Sequence, residues 1–360
     1  MKLPFEKEPL IDYQNHHAYM TGILGQFPHC IPWILSEYIH IFSIADPGDL
    51  MCEYSVEQTY FADGGALRLA LFESDTDGFR GLAPLLSKER LIELLKYFIG
   101  NGYYLYGDLN ERYIPCQLAY DTDEDLVHNY MICGYDEERH MLDYASYDKK
   151  RKFAVNAVPL DCFYDGLLHA NVKNRLIFCK ANEEYDFRFR ISKVIRSLKA
   201  YVRSERLDGE HNNEEFVYGI GVMYKLMHIF LVEGYPLQDK KNHDMIFLRA
   251  LLNHKRLLTQ LMRYLYENHY ILDDQYASLS EQIYERMRVV YHLFIKWCAS
   301  GSRDIQQRLY LMLRTIVAEE KQYIGNLCTE LEENFSQLDA LPYDTYDWLE
   351  PMECIPTAQG

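Results

Sequence analysis

The stretch GQFPHCIPWILSEYIHIF, Gly25 to Phe42, sets a cysteine directly ahead of a run with the character of a buried helix. A helix N-terminus carries roughly +0.5 of an elementary charge and several unpaired N–H groups. A thiol held there has its thiolate stabilised and becomes reactive. Cys30 is therefore a candidate nucleophile, and its own backbone N–H could help bind an oxyanion. Pro32 suits the first turn of such a helix. The competing reading is a small apolar residue opening a core helix, because free cysteines are among the most buried residue types.

A second stretch, VHNYMICGYDEERHMLDYAS, places His128 at the start of one alternating strand and Asp143 on the next. A hairpin with a four-residue loop from Gly134 to Glu137 pairs residue 133 with 138 and, further out, His128 with Asp143. Directly opposed side chains share one face of a sheet. A carboxylate touching the imidazole there would fix its tautomer and stabilise its charged form. A structural hydrogen bond would use the same pair.

A cysteine at a helix start, a histidine on a later strand and an acid on the next strand follow the chain order of papain-like cysteine enzymes. The segment HNYMICGYDEERHMLDYAS resembles the histidine strand, GYD turn and aspartate strand of bacteriocin-leader peptidases. It is more similar to the N-terminal domain of the butirosin biosynthesis protein H family, found in thiotemplated natural-product pathways. Members carry a cysteine preceded by histidine near the N-terminus, as in His29-Cys30 here. The resemblance spans about residues 10 to 180. It implies a papain-like fold with Cys30 as nucleophile, His128 as general base and then acid, and Asp143 as the group orienting it. It also implies transfer of an acyl group from a carrier-protein thioester, through a Cys30 acyl-enzyme, to an amine. The phosphopantetheine arm would sit on the carrier, with no cofactor bound to this chain. Papain-like hydrolases hold an oxyanion-binding glutamine well before the cysteine; Gln26, four residues ahead, is the better candidate here and Gln14 lies farther back. With water as acceptor the same residues make a peptidase, amidase or thioesterase. A non-catalytic binding scaffold remains a third reading.

Two charge features bear on partners. Asp121, Asp123, Glu124 and Asp125 precede His128 and could attract a cationic amine acceptor while favouring a protonated His128; the plain alternative is a solvated loop. The segment RFRISKVIRSLKAYVRSER is basic within an acidic chain, and Lys149 to Lys152 add a second cluster. Carrier proteins are acidic and bear a phosphate, so Arg196, Lys199 and Arg203 are candidate docking residues. The alternative is an amphipathic helix with a solvated face. His16, His17 and His29 lie near Cys30, but no second cysteine stands at ligand spacing, so no metal centre is expected.

The elements that must hold these residues fall into two halves. An α+β half, residues 1–182, is predicted to begin with a helix from Cys30 to Ile44. Strands follow at EYSVEQTYF and GALRLALF, around a turn at Asp63 to Gly65. A helix capped by Ser87 and a run of strands at YYLYGDL, VHNYMIC, RHMLDYA and KFAVNAV come next. A short helix at PLDCFYDGLL and a strand at NRLIFCK close this half. Residues 183–340 read as an all-α domain, with helices near 185–207, 214–232, 242–269, 275–299 and 303–335. An extended tail, 341–360, follows. At 360 residues and 48% apolar, the chain is large enough for two cores. A net charge of −17 argues against nucleic acid as a partner. MKLPFEKEPLIDYQ lacks the apolar core of an export signal, and no run suits a bilayer span. The nine cysteines are then expected to be free in a reducing cytoplasm. Nothing in the sequence sets the oligomeric state.

Overall fold

The computed structural model describes residues 1–46, 51–55, 65–72, 87–170, 176–207, 215–231 and 241–335. In chain order the elements begin α1 (Asn15–Leu24), α2 (Ile31–Glu37), β1 (Ile41–Ile44), β2 (Cys52–Tyr54), β3 (Leu67–Phe72) and α3 (Lys88–Gly100). They continue β4 (Tyr104–Asn110), β5 (Val127–Asp136), β6 (Met141–Tyr147), β7 (Phe153–Pro159), α4 (Leu160–Leu168) and β8 (Leu176–Ala181). The last are α5 (Ile191–Arg203), β9 (Phe216–Tyr218), α6 (Gly221–Ile229), α7 (Lys241–Glu267), α8 (Gln275–Ser300) and α9 (Arg303–Phe335). The chain is α+β as expected. The predicted turn at Asp63 and Gly64, most of the EYSVEQTYF strand and the 341–360 tail lie outside the described residues.

Two compact units emerge: Met1–Pro28 with Glu57–Asp186, and His29–Val56 with Phe187–Gly360. The late boundary sits close to the predicted 182/183. The early one corrects the sequence reading, because residues 29–56 join the helical unit. Their partners explain it. β1 lies between β2 and β9 in a three-stranded antiparallel sheet, and the Phe42 ring meets Phe216 edge-on at 5.3 Å. Glu37, buried at the end of α2, accepts from Lys193 on α5 at 2.6 Å. His254 on α7 meets the Ile39 carbonyl through Nε2 at 2.7 Å.

The first unit is built on a six-stranded antiparallel sheet in the order β3-β8-β4-β5-β6-β7. One face is covered by Leu91, Leu95 and Phe98 of α3 and Phe163 and Leu167 of α4, packed on Leu105, Leu109, Tyr130, Ile132 and Tyr144. The spacing of the α3 residues, i, i+4 and i+7, is that of one helix face. Ser87 caps that helix as expected, its Oγ accepting from the Arg90 N–H at 3.2 Å. The opposite face carries α1, where Tyr19 meets Tyr106.

In the second unit α7, α8 and α9 are long antiparallel-neighbour helices with α5 against α9 and α2 against α5 and α7. α5 buries Ile191, Val194, Ile195, Leu198 and Tyr201 on one stripe. Two local expectations are corrected. The helix expected from Cys30 to Ile44 stops at Glu37, where Tyr38 leaves helical geometry (φ −97, ψ 53). The β-branched and aromatic run beyond it becomes β1, its burial alternating as a strand requires. The helix expected over 214–232 is a strand, β9, then α6. They are separated by Gly219 at φ +54, where a Cβ would lie 2.3 Å from the Tyr201 carbonyl oxygen. No described helix is long and apolar enough to cross a membrane, and the described cysteines are unbridged.

Candidate functional site

Cys30 closes a 3-10 turn, Pro28–Cys30, and caps α2. Its place at a helix start is the one the sequence suggested, with proline in the first turn. Its state is not. The side chain is fully buried, and burial pushes the thiol pKa up to about 12. Charging a thiol raised that far costs about 4 kcal/mol more than charging a free one. A helix terminus returns about 1 kcal/mol or less, and α2 is short. Desolvation therefore wins, and the resting group is a neutral thiol.

His128 opens β5 opposite Leu109 of β4. Its Nδ1 meets Glu111 Oε1 at 3.1 Å, with the imidazole half exposed (52%) and the carboxylate buried (6%). Glu111 follows β4 directly and is fixed by its neighbours. Its N–H donates to the Leu126 carbonyl at 2.8 Å. The preceding Asn110, buried, accepts the Arg112 N–H and donates to Asp125 at 2.8 Å and to the His169 carbonyl at 3.2 Å. Glu111 thus stands two residues beyond the position opposite His128, a diagonal within side-chain reach. The hydrogen bond to Glu111 raises the His128 pKa above its ordinary value; burial opposes this, and Asp108 adds a smaller upward push.

Asp143 is elsewhere, which corrects the predicted hairpin. β5 and β6 pair Asp136 with Met141, Tyr135 with Leu142 and Gly134 with Asp143, then shift register at Cys133. The turn is at 137–140, not 134–137. The Asp136 carboxylate accepts the Arg139 N–H at 3.1 Å, and His140 takes a left-handed conformation, φ 51. Asp143 therefore sits six residues along β5 from His128, about 20 Å in an extended strand, and its carboxylate accepts from Lys2 at 3.0 Å. Continuing the register beyond the bulge brings Asp148 level with His128. That carboxylate is taken by the N–H groups of Lys150 and Lys152, at 2.8 and 3.0 Å.

The remaining candidates are placed as follows. Gln26 lies in the turn ending α1, its N–H on the Ile23 carbonyl at 3.3 Å; Gln26 and His128 both belong to the first unit and Cys30 to the second. Of the acidic loop, Asp123 and Asp125 face Arg112 at 3.7 and 3.8 Å, while Asp121 and Glu124 are exposed. The charge acting on His128 comes from Glu111 and Asp108 rather than from this loop. On α5, Lys199 pairs with Glu332 of α9 and Arg203 lies 3.9 Å from Glu205. Arg196 is exposed. Lys193 and Arg190 turn inward to Glu37, so the basic helix spends much of its charge within its own unit.

Sequence reasoning missed Glu111. The signal was the acid in NER immediately after the YYLYGDL strand, but connecting it to His128 needed the β4–β5 register, which a long loop leaves open. Compared with known proteins, the chain matches no family model and no curated protein.

Proposed function

We propose that this chain is a cysteine-dependent acyltransferase, papain-like in its α+β part, that moves an acyl group from a thioester to an amine. The observation that carries the reading is His128: one ring nitrogen is anchored on a buried carboxylate while the ring itself reaches solvent. That is the arrangement of a proton carrier. Cys30 at the start of α2 is the nucleophile. The resemblance implies that His128 takes its proton as the sulfur bonds to the acyl carbon and the donor carbon–sulfur bond breaks. The departing thiolate receives the proton from His128. The amine then attacks the Cys30 thioester, loses a proton to His128, and the amide leaves as that proton returns to the Cys30 sulfur. Passing from thioester to amide makes the second half downhill. The resting thiol, raised to about 12, calls for this general-base route rather than a standing thiolate. A carrier protein bearing phosphopantetheine is the donor the resemblance favours, with exposed Arg196 as the docking residue left unpaired by a described ion pair.

The test is intact-mass analysis after incubation with a small acyl thioester. A mass gain of one acyl group on Cys30, absent in Cys30→Ala, is expected, followed by discharge to amide when amine is added. Discharge to free acid regardless of amine would make the protein a thioesterase, or with amide substrates a peptidase or amidase. Absence of any adduct would leave a non-catalytic scaffold.

A further inference from the structure

We infer that Glu111, on the strand side preceding the histidine, is the residue that positions His128, and that Asp143 has no part in the site. The inference rests on the reading of His128 as the proton carrier, and it changes the order of the constellation. The acid comes before the histidine in the chain, Glu111 ahead of His128, rather than after it.

Three observations carry it. Glu111 is buried and its oxygen lies 3.1 Å from His128 Nδ1. Its backbone is locked by the Leu126 carbonyl and by the buried Asn110 beside it, so the carboxylate is pre-placed rather than swung in. Asp143, the alternative, is spoken for by Lys2 and by the close approach of Gly134. A carboxylate oxygen only accepts, so Nδ1 carries the hydrogen in the neutral ring and Nε2 keeps the lone pair. Nε2 is then the basic atom.

Among the described residues, Glu111 and Asp108 are the charged groups that act on His128. Both favour the imidazolium, while Arg112 is engaged with Asp123 and Asp125. Asp143 is absent from that set. The sign follows: removing the Glu111 charge lowers the His128 midpoint, so the base form persists to lower pH, yet the ring loses its orientation.

The experiment is a titration of the full chain with 15N-labelled histidine, His128 being identified by the signal lost in His128→Asn. In the wild type the neutral ring should show the hydrogen on Nδ1 and a midpoint above that of a free histidine. Glu111→Gln should lower the midpoint, and Asp143→Asn should leave it unchanged. In turnover, Glu111→Gln should reduce kcat by about 10²-fold or more with little change in KM, and move the acid limb of the rate profile to lower pH. An Nε2–H tautomer in the wild type, or a midpoint lowered by Asp143→Asn and not by Glu111→Gln, overturns the inference. The wild-type tautomer decides even if Glu111→Gln does not fold. The titration needs no activity, so a protein that never forms an acyl adduct refutes the transferase reading and leaves this one standing or falling by itself.

Discussion

At Cys30 two electrostatic effects compete, and their sizes decide the chemistry. The N-terminus of α2 favours a thiolate, but a fully buried sulfur loses its hydration, and burial is the larger effect. A thiol with pKa about 12 presents about 10³-fold less thiolate near neutral pH than one with pKa about 9. Iodoacetamide should therefore label Cys30 in the resting protein about 10³-fold more slowly than it labels a small free thiol, followed by peptide mapping at pH 8. Labelling at the free-thiol rate would contradict a neutral, buried Cys30. The site of the cysteine was legible because proline and the apolar run mark a helix start. Its charge state was not, because burial is contributed by side chains distant in sequence.

The hairpin formed by β5 and β6 shows what a strand pattern can and cannot convey. Alternation in VHNYMIC and RHMLDYA predicted both strands, but register depends on which residues turn. The GYD motif invited a turn at Gly134, whereas Asp136 and the left-handed His140 place it three residues later. The shift at Cys133 adds another offset invisible to periodicity. Gly134 has a different task from the expected one. A Cβ there would stand 2.3 Å from the Asp143 carboxylate. Gly134→Ala should lower stability by about 1–3 kcal/mol, read as a shift in the denaturation midpoint. Asp143→Ala alone, removing a partly exposed ion pair with Lys2, should change stability by about 1 kcal/mol or less. Combined, the two should destabilise by less than their sum, since the second removes the atom the first strikes. Strict additivity would mean that Gly134 is needed for some other contact.

For the molecule as a whole, the division into units was the least legible feature. Residues 29–56 read as part of the first half because they precede its strands, yet their partners on α5, β9 and α7 come far later in the chain. The second unit draws them in around a buried charge. Lys255 of α7, 1% exposed, shares its three N–H groups among both Glu320 oxygens at 2.8 and 2.7 Å, the Tyr201 hydroxyl at 2.7 Å and His254 Nδ1 at 3.3 Å. His254, thus an acceptor at Nδ1, keeps its hydrogen on Nε2 for the Ile39 carbonyl. One ammonium thereby joins α5, α7 and α9 and, through His254, the segment that begins at Cys30. Burial lowers the Lys255 pKa, and Glu320 works against that fall, so neither charge is affordable without the other. Lys255→Met should cost about 3–5 kcal/mol by leaving the Glu320 carboxylate buried and uncompensated, whereas Lys255→Met with Glu320→Met should restore most of that stability. Urea denaturation of the wild type, both single variants and the double variant measures the coupling. Strict additivity, with the double variant losing as much as the two single variants together, would show that Lys255 and Glu320 are not energetically coupled.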